Sequence, residues 1–456
     1  MIPLTLPEAA AACGGRLETD DPNVEVRRVC TDSRCVQPGD LFVGLQGEKF
    51  DGDEYAAAAL AAGAAGVVVR AKTAAGLPAG ATRIVVDEGL RALQALATAV
   101  RRRSGVKVVA ITGSAGKTST KDILAAFLRP VARTVATSAN LNNEIGVPLT
   151  LLEIEPDTEV AVVEMAMRGA GQIRDLARVA LPDVGVITNI APVHLELVGT
   201  VEDVAAAKAE LIEELAGGTA VVPVDEALLV RHLHRHRGRV ITFGAPPSDV
   251  HLVDEERRGE NTHVLLDAFG HRARMDFSFT GGHYLQDALA AVAAFVELGY
   301  RLDEAAEGAG QVAFSDLRGA VSKIPGGGLL LNDAYNANPV AMKAAVDHLI
   351  GIADGRPTVA VLGDMYELGP GAEAYHRAVG VHCREAGVRV VAVGDLARGY
   401  LTGAPGERWF AAVDECLAAL PEVVPYGSAV LVKASRLMRM ERVAEALAAE
   451  GGSDRA

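Results

Sequence analysis

The sequence predicts an α/β protein in which helices cover both faces of parallel sheets. Short runs of β-branched residues, such as 106–111 and 359–363, alternate with longer amphipathic or alanine-rich segments through most of the chain. This alternation is typical of right-handed βαβ units. The chain of 456 residues is also too long for one hydrophobic core, so we expect about two to four domains.

The composition excludes several classes of protein. Half of the residues are hydrophobic and 23% are charged, which is typical of a folded chain. The 44 Lys and Arg against 59 Asp and Glu give a net charge of −15, which argues against a nucleic-acid binder. With no signal-peptide pattern, no run of 18 apolar residues and five cysteines lacking metal-ligand spacing, we expect a cytoplasmic protein without a membrane span.

Changes in the pattern divide the chain into three predicted domains, 1–104, 105–316 and 317–456. In the first, short β-like runs flank an alanine-rich helical stretch at 54–64, and a basic run at Arg101 ends the domain.

The second and third domains differ in their strands. In the second, βα alternation gives way near 250–280 to alternating strands joined by a turn at Gly270, before a helix over 284–298. In the third, the βα rhythm returns and predicts a doubly wound domain. Its predicted strands are 328–332, 359–363, 388–393 and 429–433.

The strongest local signal is a glycine-rich loop between a buried strand and a helix predicted over 119–128. Its residues are Gly113, Ser114, Ala115, Gly116, Lys117, Thr118 and Ser119. Such loops bind phosphates through backbone N–H groups and the helix N-terminus, with the lysine on the β/γ-phosphates and the following hydroxyl on Mg²⁺. Because only two residues separate the glycines, where the usual loop has four, a purely structural turn stays open.

Three further residues belong to predicted elements whose ends meet at one edge of the sheet. Glu164 ends a strand, His194 follows another, and Lys208 lies in a helical segment. A carboxylate oxygen and a neutral imidazole can ligate a cation, whereas an ammonium cannot. Taken singly, each of the three is more often a structural or solvated residue.

Five motifs together make the chain resemble the Mur ligases along nearly its whole length. The motifs are Thr112-Gly-Ser-Ala-Gly-Lys-Thr-Ser, Asn142-Asn-Glu-Ile-Gly-Val-Pro, Asn332-Asp-Ala-Tyr-Asn-Ala-Asn-Pro, Leu362-Gly-Asp-Met-Tyr-Glu-Leu-Gly and Lys433-Ala-Ser-Arg-Leu-Met-Arg-Met-Glu. The resemblance implies a three-domain architecture with a central phosphate-loop ATPase domain on a parallel sheet and a Rossmann-like C-terminal domain.

The resemblance also implies an activity. Within the family the motifs look most like those of ligases that use ATP and Mg²⁺ to join D-alanyl-D-alanine to UDP-N-acetylmuramoyl-tripeptide, through an acyl phosphate. The implied partners are these two substrates, with no nucleic acid, and the implied oligomeric state is a monomer. The alternatives are a family member with another acceptor, including a folylpolyglutamate-type ligase, and a nucleotide-dependent scaffold that no longer ligates.

The resemblance further assigns roles to individual residues. It implies that Lys208 is carbamylated and helps to hold a second Mg²⁺ beside Glu164 and His194. It places Arg318 on the nucleotide phosphates, with a surface arginine as the alternative, and Asp333 on the ribose. The implied substrate contacts are Ser33, Arg34, Asn142, Asn143, Tyr335 and Asn336, of which the first two are equally compatible with a plain loop.

The sequence departs from the family pattern at several positions. The family usually has His-Asn-x-x-Asn near the adenine, but this chain has His283-Tyr-Leu-Gln-Asp. The carboxylate of Asp287 only accepts hydrogen bonds when ionised, whereas an asparagine both donates and accepts. We therefore expect adenine recognition by Tyr284 and Asp287 to differ from recognition by the two asparagines that the family usually has there. At three other positions this chain also departs from the family: Ala166 and Ala434 stand where the family usually has glycine, and Gln172 stands where it usually has glutamate.

Overall fold

The computed structural model describes residues 1–259, 261–315 and 317–449. Residue 316, at which the second predicted domain ends, and the tail 450–456 lie outside the described residues. Within them the chain forms three sheets of five, nine and six strands and one two-stranded ribbon. Helices alternate with most of the strands, so the predicted α/β class is confirmed.

The N-terminal part carries the five-stranded sheet and the ribbon. Its elements are β1 (Leu4–Thr5), α1 (Leu6–Cys13), β2 (Arg16–Glu18), β3 (Glu25–Val26), β4 (Val29–Cys30), β5 (Leu41–Val43), α2 (Ala56–Ala61), β6 (Gly66–Arg70), α3 (Ala71–Ala74), β7 (Arg83–Val86) and α4 (Gly89–Arg103). The strand order is β2-β7-β6-β5-β4, parallel except for β2. The helix expected at 54–64 is shorter, because residues 52–55 form a 3₁₀ turn capped by Asp51.

The middle part carries the nine-stranded sheet. Its elements are β8 (Lys107–Thr112), α5 (Lys117–Leu128), β9 (Thr134–Ala136), α6 (Gly146–Leu151), β10 (Val160–Glu164), α7 (Gln172–Ala180), β11 (Val184–Ile187), α8 (Leu195–Val198), α9 (Val201–Glu213), β12 (Thr219–Pro223), α10 (Ala227–Leu233), β13 (Val240–Phe243), β14 (Val250–Arg258), β15 (Asn261–Ala268), β16 (His271–Phe277), α11 (Gly282–Glu297) and α12 (Ala305–Ala309).

This nine-stranded sheet is mixed, not wholly parallel. Strands β9, β10, β8, β11, β12, β13 and β14 run parallel in that order, and β15 and β16 add an antiparallel edge. The antiparallel strands predicted near 250–280 and joined by a turn at Gly270 are therefore present as β15 and β16, but they extend the same sheet. The sequence did not show this continuation because β14 is mostly exposed and charged.

The C-terminal part carries the six-stranded sheet. Its elements are β17 (Ala320–Ile324), β18 (Gly328–Asn332), α13 (Pro339–Ile352), β19 (Thr358–Gly363), α14 (Ala372–Glu385), β20 (Arg389–Val393), β21 (Arg408–Phe410), α15 (Val413–Val423), β22 (Ala429–Lys433) and α16 (Glu441–Ala449). The strand order is β17-β18-β22-β19-β20-β21, parallel except for β17. Apolar clusters cover both faces, as expected of a doubly wound sheet.

The first two parts of the chain share one hydrophobic core. Leu93, Leu96 and Val100 of α4 pack with Val147 of α6 and Leu176 of α7, and all five are buried. Burying apolar surface contributes roughly 25 cal/mol per Å². This shared core therefore fixes the N-terminal sheet against the middle one.

The middle and C-terminal parts meet through separate polar contacts. Thr280 and His348 form a buried hydrogen bond of 3.0 Å between them, and Asn338 Nδ2 donates to the carbonyl oxygen of Ser114 at 3.4 Å. This second interface borders the glycine-rich loop.

Two negative findings concern the described residues alone. Among them, no helix has the length and apolar character needed to cross a membrane. The five cysteines all lie in the described part of the chain and form no disulfide.

Candidate active site

The glycine-rich loop lies at the carboxyl end of β8, in the middle of the nine-stranded sheet. Strand β10 pairs with one edge of β8 and β11 with the other, so the chain reverses its direction of winding at this point. Open α/β sheets bind ligands in the crevice at such a point. Helix α5 begins at Lys117, two residues earlier than predicted, and directs its N-terminus into this crevice.

Both glycines of the loop are required by close contacts. A Cβ at Gly113 would lie 1.8 Å from Thr188 Oγ1, and one at Gly116 would lie 2.1 Å from Asp287 Oδ1. Gly116 also has a φ of 79°, in the left-handed region that favours glycine. The two glycines let the loop lie against β11 and α11.

Asn189, which sequence reasoning missed, holds the first half of the loop. The backbone N–H of Ser114 donates to its carbonyl oxygen at 3.1 Å, and that of Ala115 donates to its Oδ1 at 2.9 Å. These two N–H groups are thus already bonded within the protein. The N–H groups left free for an anion are therefore those of the first turn of α5, which lack helical acceptors.

Two lysines converge on the carbonyl oxygen of Gly113. Lys117 Nζ donates to it at 2.8 Å and Lys208 Nζ, from α9, at 2.9 Å. Burial lowers the pKa of Lys117, and burial next to Lys117 lowers the pKa of Lys208 well below its ordinary value. The site therefore favours a neutral amine at Lys208.

Thr118 and Glu164 form an oxygen-donor pair beside the loop. Thr118 Oγ1 donates to Glu164 Oε2 at 2.8 Å, and both side chains are buried. The other carboxylate oxygen accepts from Asn142 Nδ2 at 2.7 Å. Asn142, expected to contact substrate, thus orients this carboxylate.

His194 lies seven residues beyond the end of β11, as the N-cap of the short helix α8. Its Nδ1 is bonded to a carboxylate oxygen of Glu367, from the C-terminal part of the chain. Burial lowers the pKa of His194, the hydrogen bond and charge of Glu367 act in the opposite direction, and the charges of Lys117 and Lys208 act with burial. The ring is thus close enough to the two lysines for their charges to act on it.

Asp287 is buried against the loop. Burial raises the pKa of Asp287 to about 8, although the Ser119 and Thr120 hydroxyls and the Arg318 charge act in the opposite direction. At neutral pH this carboxyl is protonated, and it then carries one O–H donor besides its acceptors. It can thus form the hydrogen bonds of an asparagine.

Arg318 reaches the site from the segment that joins the middle and C-terminal parts. Its guanidinium lies 4.1 Å from the ring centre of Tyr335, a cation–π contact. Its charge acts on the pKa values of Lys117 and Asp287, which places it near the loop. Tyr284 stands where the family usually has an asparagine, and its hydroxyl donates to the carbonyl oxygen of Arg318 at 3.3 Å.

Lys433, at the end of β22, organises the neighbouring strand ends. Its Nζ donates to Asp333 Oδ2 at 2.5 Å and to the carbonyl oxygen of Asn336 at 2.8 Å. The structure thus gives Asp333 and Asn336 a partner within the protein. A buried lysine at the end of a predicted strand was the signal that could have identified it.

The remaining predicted residues lie apart from the loop or have structural partners. Ser33 and Arg34 lie in the N-terminal part of the chain. Arg34 forms an ion pair with Asp32, and its side chain is 86% exposed. Asn143 Oδ1 accepts from the backbone N–H groups of Ile145 and Gly146, at the start of α6. Their contacts with substrate stay predictions.

The donors beside the loop fit Mg²⁺ bound largely by other molecules. Among the described residues, no three His, Cys, Asp or Glu side chains are grouped to hold a metal. Mg²⁺ in nucleotide sites is held by one or two protein oxygens, with water and phosphate as its other ligands. The Thr118 hydroxyl and the Glu164 carboxylate supply such oxygens.

Three family models match successive parts of the chain. They describe the "Mur ligase family, catalytic domain" over residues 25–101, the "Mur ligase middle domain" over 111–295 and the "Mur ligase, glutamate ligase domain" over 320–436.

Individual proteins are similar over the whole length. A Bacillus subtilis protein named UDP-N-acetylmuramoyl-tripeptide–D-alanyl-D-alanine ligase is 34% identical, over 98% of this chain and 99% of its own. The structure of MurF from Acinetobacter baumannii superimposes with a TM-score of 0.89 at 31% identity, covering 98% of each chain. That of MurF ligase from Thermotoga maritima in complex with ADP gives 0.84 at 28% identity, covering 94% of this chain and 99% of that one.

The fold, the loop and these full-length similarities lead to one conclusion. The chain belongs to the Mur ligase family.

Proposed function

We propose that this protein joins D-alanyl-D-alanine to the terminal carboxylate of UDP-N-acetylmuramoyl-tripeptide, with ATP converted to ADP and phosphate. The observation that carries the proposal is the similarity, across 98% of the chain, to a ligase named for this reaction. The product is the UDP-N-acetylmuramoyl-pentapeptide used in peptidoglycan synthesis.

The ATP phosphates bind at the N-terminus of α5. Lys117 is the first residue of that helix, so its ammonium and the free N–H groups of the first turn face the same ligand. Arg318 adds a second positive charge from the other side of the interface. The structure of the Thermotoga maritima relative in complex with ADP supports the proposal that this fold binds a nucleotide.

The chemical problem is that a carboxylate resists attack by an amine. A carboxylate oxygen of the tripeptide first attacks the γ-phosphorus of ATP, and the bond to the ADP oxygen breaks. The neutral amine of D-alanyl-D-alanine then attacks the acyl carbon, phosphate leaves, and the amine proton is lost. Lys117 and Arg318 stabilise the charge on the phosphoryl group during transfer.

Thr118 and Glu164 would hold Mg²⁺ in this reaction. When bound there, the ion neutralises charge on the phosphate oxygens. Asn142 keeps the Glu164 carboxylate oriented through its hydrogen bond.

Lys208 is the residue that we propose to be carbamylated. CO₂ adds to a neutral amine and releases a proton, giving an N-carboxylate. Lys208 is 3% exposed and its pKa is lowered by burial, so the required neutral amine is favoured. The carbamate would supply an anionic oxygen, and together with Glu164 and His194 it would hold a second Mg²⁺.

We assign residues 1–104 to UDP-sugar binding, 105–316 to ATP binding and 317–456 to a ligase domain that contributes Arg318 and Asp333. The first boundary falls between α4 and β8.

We propose that the protein acts in the cytoplasm and that it acts as a monomer. The free cysteines support the cytoplasmic location.

The test is ADP release by the purified protein with Mg-ATP and UDP-N-acetylmuramoyl-tripeptide. D-Alanyl-D-alanine is compared with D-glutamate, diaminopimelate and no added acceptor. We expect release only with D-alanyl-D-alanine. Release with another acceptor would reassign the chain within the family, and no release with any acceptor would support a scaffold.

A further inference from the structure

The middle and C-terminal parts are joined by a reciprocal set of hydrogen bonds at the edge of the site. The backbone N–H of Glu196 donates to the carbonyl oxygen of Glu367 at 3.4 Å, and that of Gly369 donates to Glu196 Oε1 at 3.3 Å. The contact between His194 Nδ1 and the Glu367 carboxylate completes the set. We call residues 194–196 and 367–369 the clasp.

The backbone of the clasp is held in an unusual conformation on both sides. His194 has a φ of 55° and Glu367 a φ of 63°, both in the left-handed region. Residues other than glycine adopt it at a cost of about 1–2 kcal/mol, and such residues concentrate at functional sites. The two strained residues are the pair whose side chains meet.

The chemistry of the pair decides where the imidazole proton lies. An ionised carboxylate only accepts hydrogen bonds, so Nδ1 must carry a proton to bond with Glu367. In a neutral ring this leaves Nε2 with a lone pair. Imidazole ligands of metals are commonly oriented in this way, by a carboxylate on the other ring nitrogen.

We propose that Glu367 is a positioning residue, which holds the His194 ring in place with Nδ1 protonated and leaves the lone pair of Nε2 available to a ligand. The orientation of His194 then depends on the position of the C-terminal part, because Glu367 belongs to it. The use of the imidazole in ligation rests on the proposed function, whereas its orientation does not.

The first test reads the ring directly. In protein labelled with ¹⁵N in its histidine rings, the His194 signals are assigned by their loss in His194→Gln. We expect the shifts of a ring protonated at Nδ1 in the native protein and in Glu367→Gln, whose amide oxygen still accepts. We expect Glu367→Ala to lose this preference, and Glu373→Ala, on an exposed glutamate of the same part, to keep it.

The second test is kinetic. Glu367→Ala should lower kcat by about 10–100-fold, the usual effect of removing a partner of a ligand, and Glu367→Gln should recover most of the loss. Unchanged ring shifts in Glu367→Ala would overturn the inference even in an active ligase. The expected shifts in a protein without ligase activity would uphold it and refute the proposed function alone.

Discussion

Lys117 and Lys208 donate to the same acceptor, the carbonyl oxygen of Gly113, at 2.8 and 2.9 Å. Two ammonium groups so close repel each other, and burial penalises both charges. The pKa of Lys208 is therefore lowered further than it would be alone. In the proposed function, Lys117 remains the cation that faces phosphate, and Lys208 is the neutral amine that reacts with CO₂.

Lys117→Ala should reduce ligase turnover while the protein stays folded. The substitution removes the charge that we propose to stabilise the transferring phosphoryl group, and loss of one such group costs about 10²–10³-fold in kcat. Initial rates and the circular dichroism spectrum check this. Lys107→Ala, on the exposed end of the preceding strand, is the control and should retain its rate. Near-normal turnover in Lys117→Ala would refute the phosphate-loop assignment.

Lys208→Ala should lose activity that short carboxylic acids partly restore. Formate or acetate can occupy the cavity left by the side chain and supply the carboxylate of the proposed carbamate. Rates measured against acid concentration test this, with Lys117→Ala as the control that should not respond. Full activity of Lys208→Ala without any added acid would exclude the carbamate.

Asp287→Asn should change how stability depends on pH. The folded pKa of Asp287 is about 8 and its ordinary value is 3.8, so between these values the folded state binds a proton that the unfolded state has lost. Stability due to this group therefore falls as the pH rises through that window. Asparagine does not titrate and removes this contribution.

Thermal unfolding of the native protein and of Asp287→Asn at pH 5, 7 and 8.5 measures the effect. We expect the variant to gain stability relative to the native protein with each step. Asp225→Asn, at an exposed position, should follow the native protein. A constant difference between Asp287→Asn and the native protein would show that the carboxyl is not protonated.

Gly116→Ala should abolish ATP binding, whereas Gly171→Ala should not. Both glycines precede helices with φ values of 79° and 87°, so each alanine costs about 1–2 kcal/mol in backbone conformation. Only the new Cβ at Gly116 meets an obstacle, at 2.1 Å from Asp287, while that at Gly171 has nothing within 4 Å. Calorimetric titration with ATP compares them, and equal affinities would contradict this view of the loop.

The sequence alone was sufficient for features that depend on short stretches. All four strands predicted in the C-terminal part are present, as β18, β19, β20 and β22, because buried parallel strands are continuous apolar runs. The glycine-rich loop could also be identified from the sequence, because its residues are contiguous.

Features that depend on distant residues were not predictable. Glu367 lies 173 positions from its partner His194, and Asn189 reaches the loop from a different strand end. From the sequence, Asp287 is expected to be an ionised carboxylate that only accepts hydrogen bonds. Its pKa is raised because the fold buries it against Gly116. Only the folded arrangement shows that it can act as a donor.

The most direct test of the account follows an oxygen atom. UDP-N-acetylmuramoyl-tripeptide labelled with ¹⁸O in its terminal carboxylate is incubated with the protein, Mg-ATP and D-alanyl-D-alanine, and the released phosphate and the peptide product are weighed by mass spectrometry. An acyl phosphate predicts one ¹⁸O in each phosphate formed, together with the pentapeptide. Pentapeptide with unlabelled phosphate would contradict the mechanism, and unlabelled phosphate without pentapeptide would contradict the ligase itself.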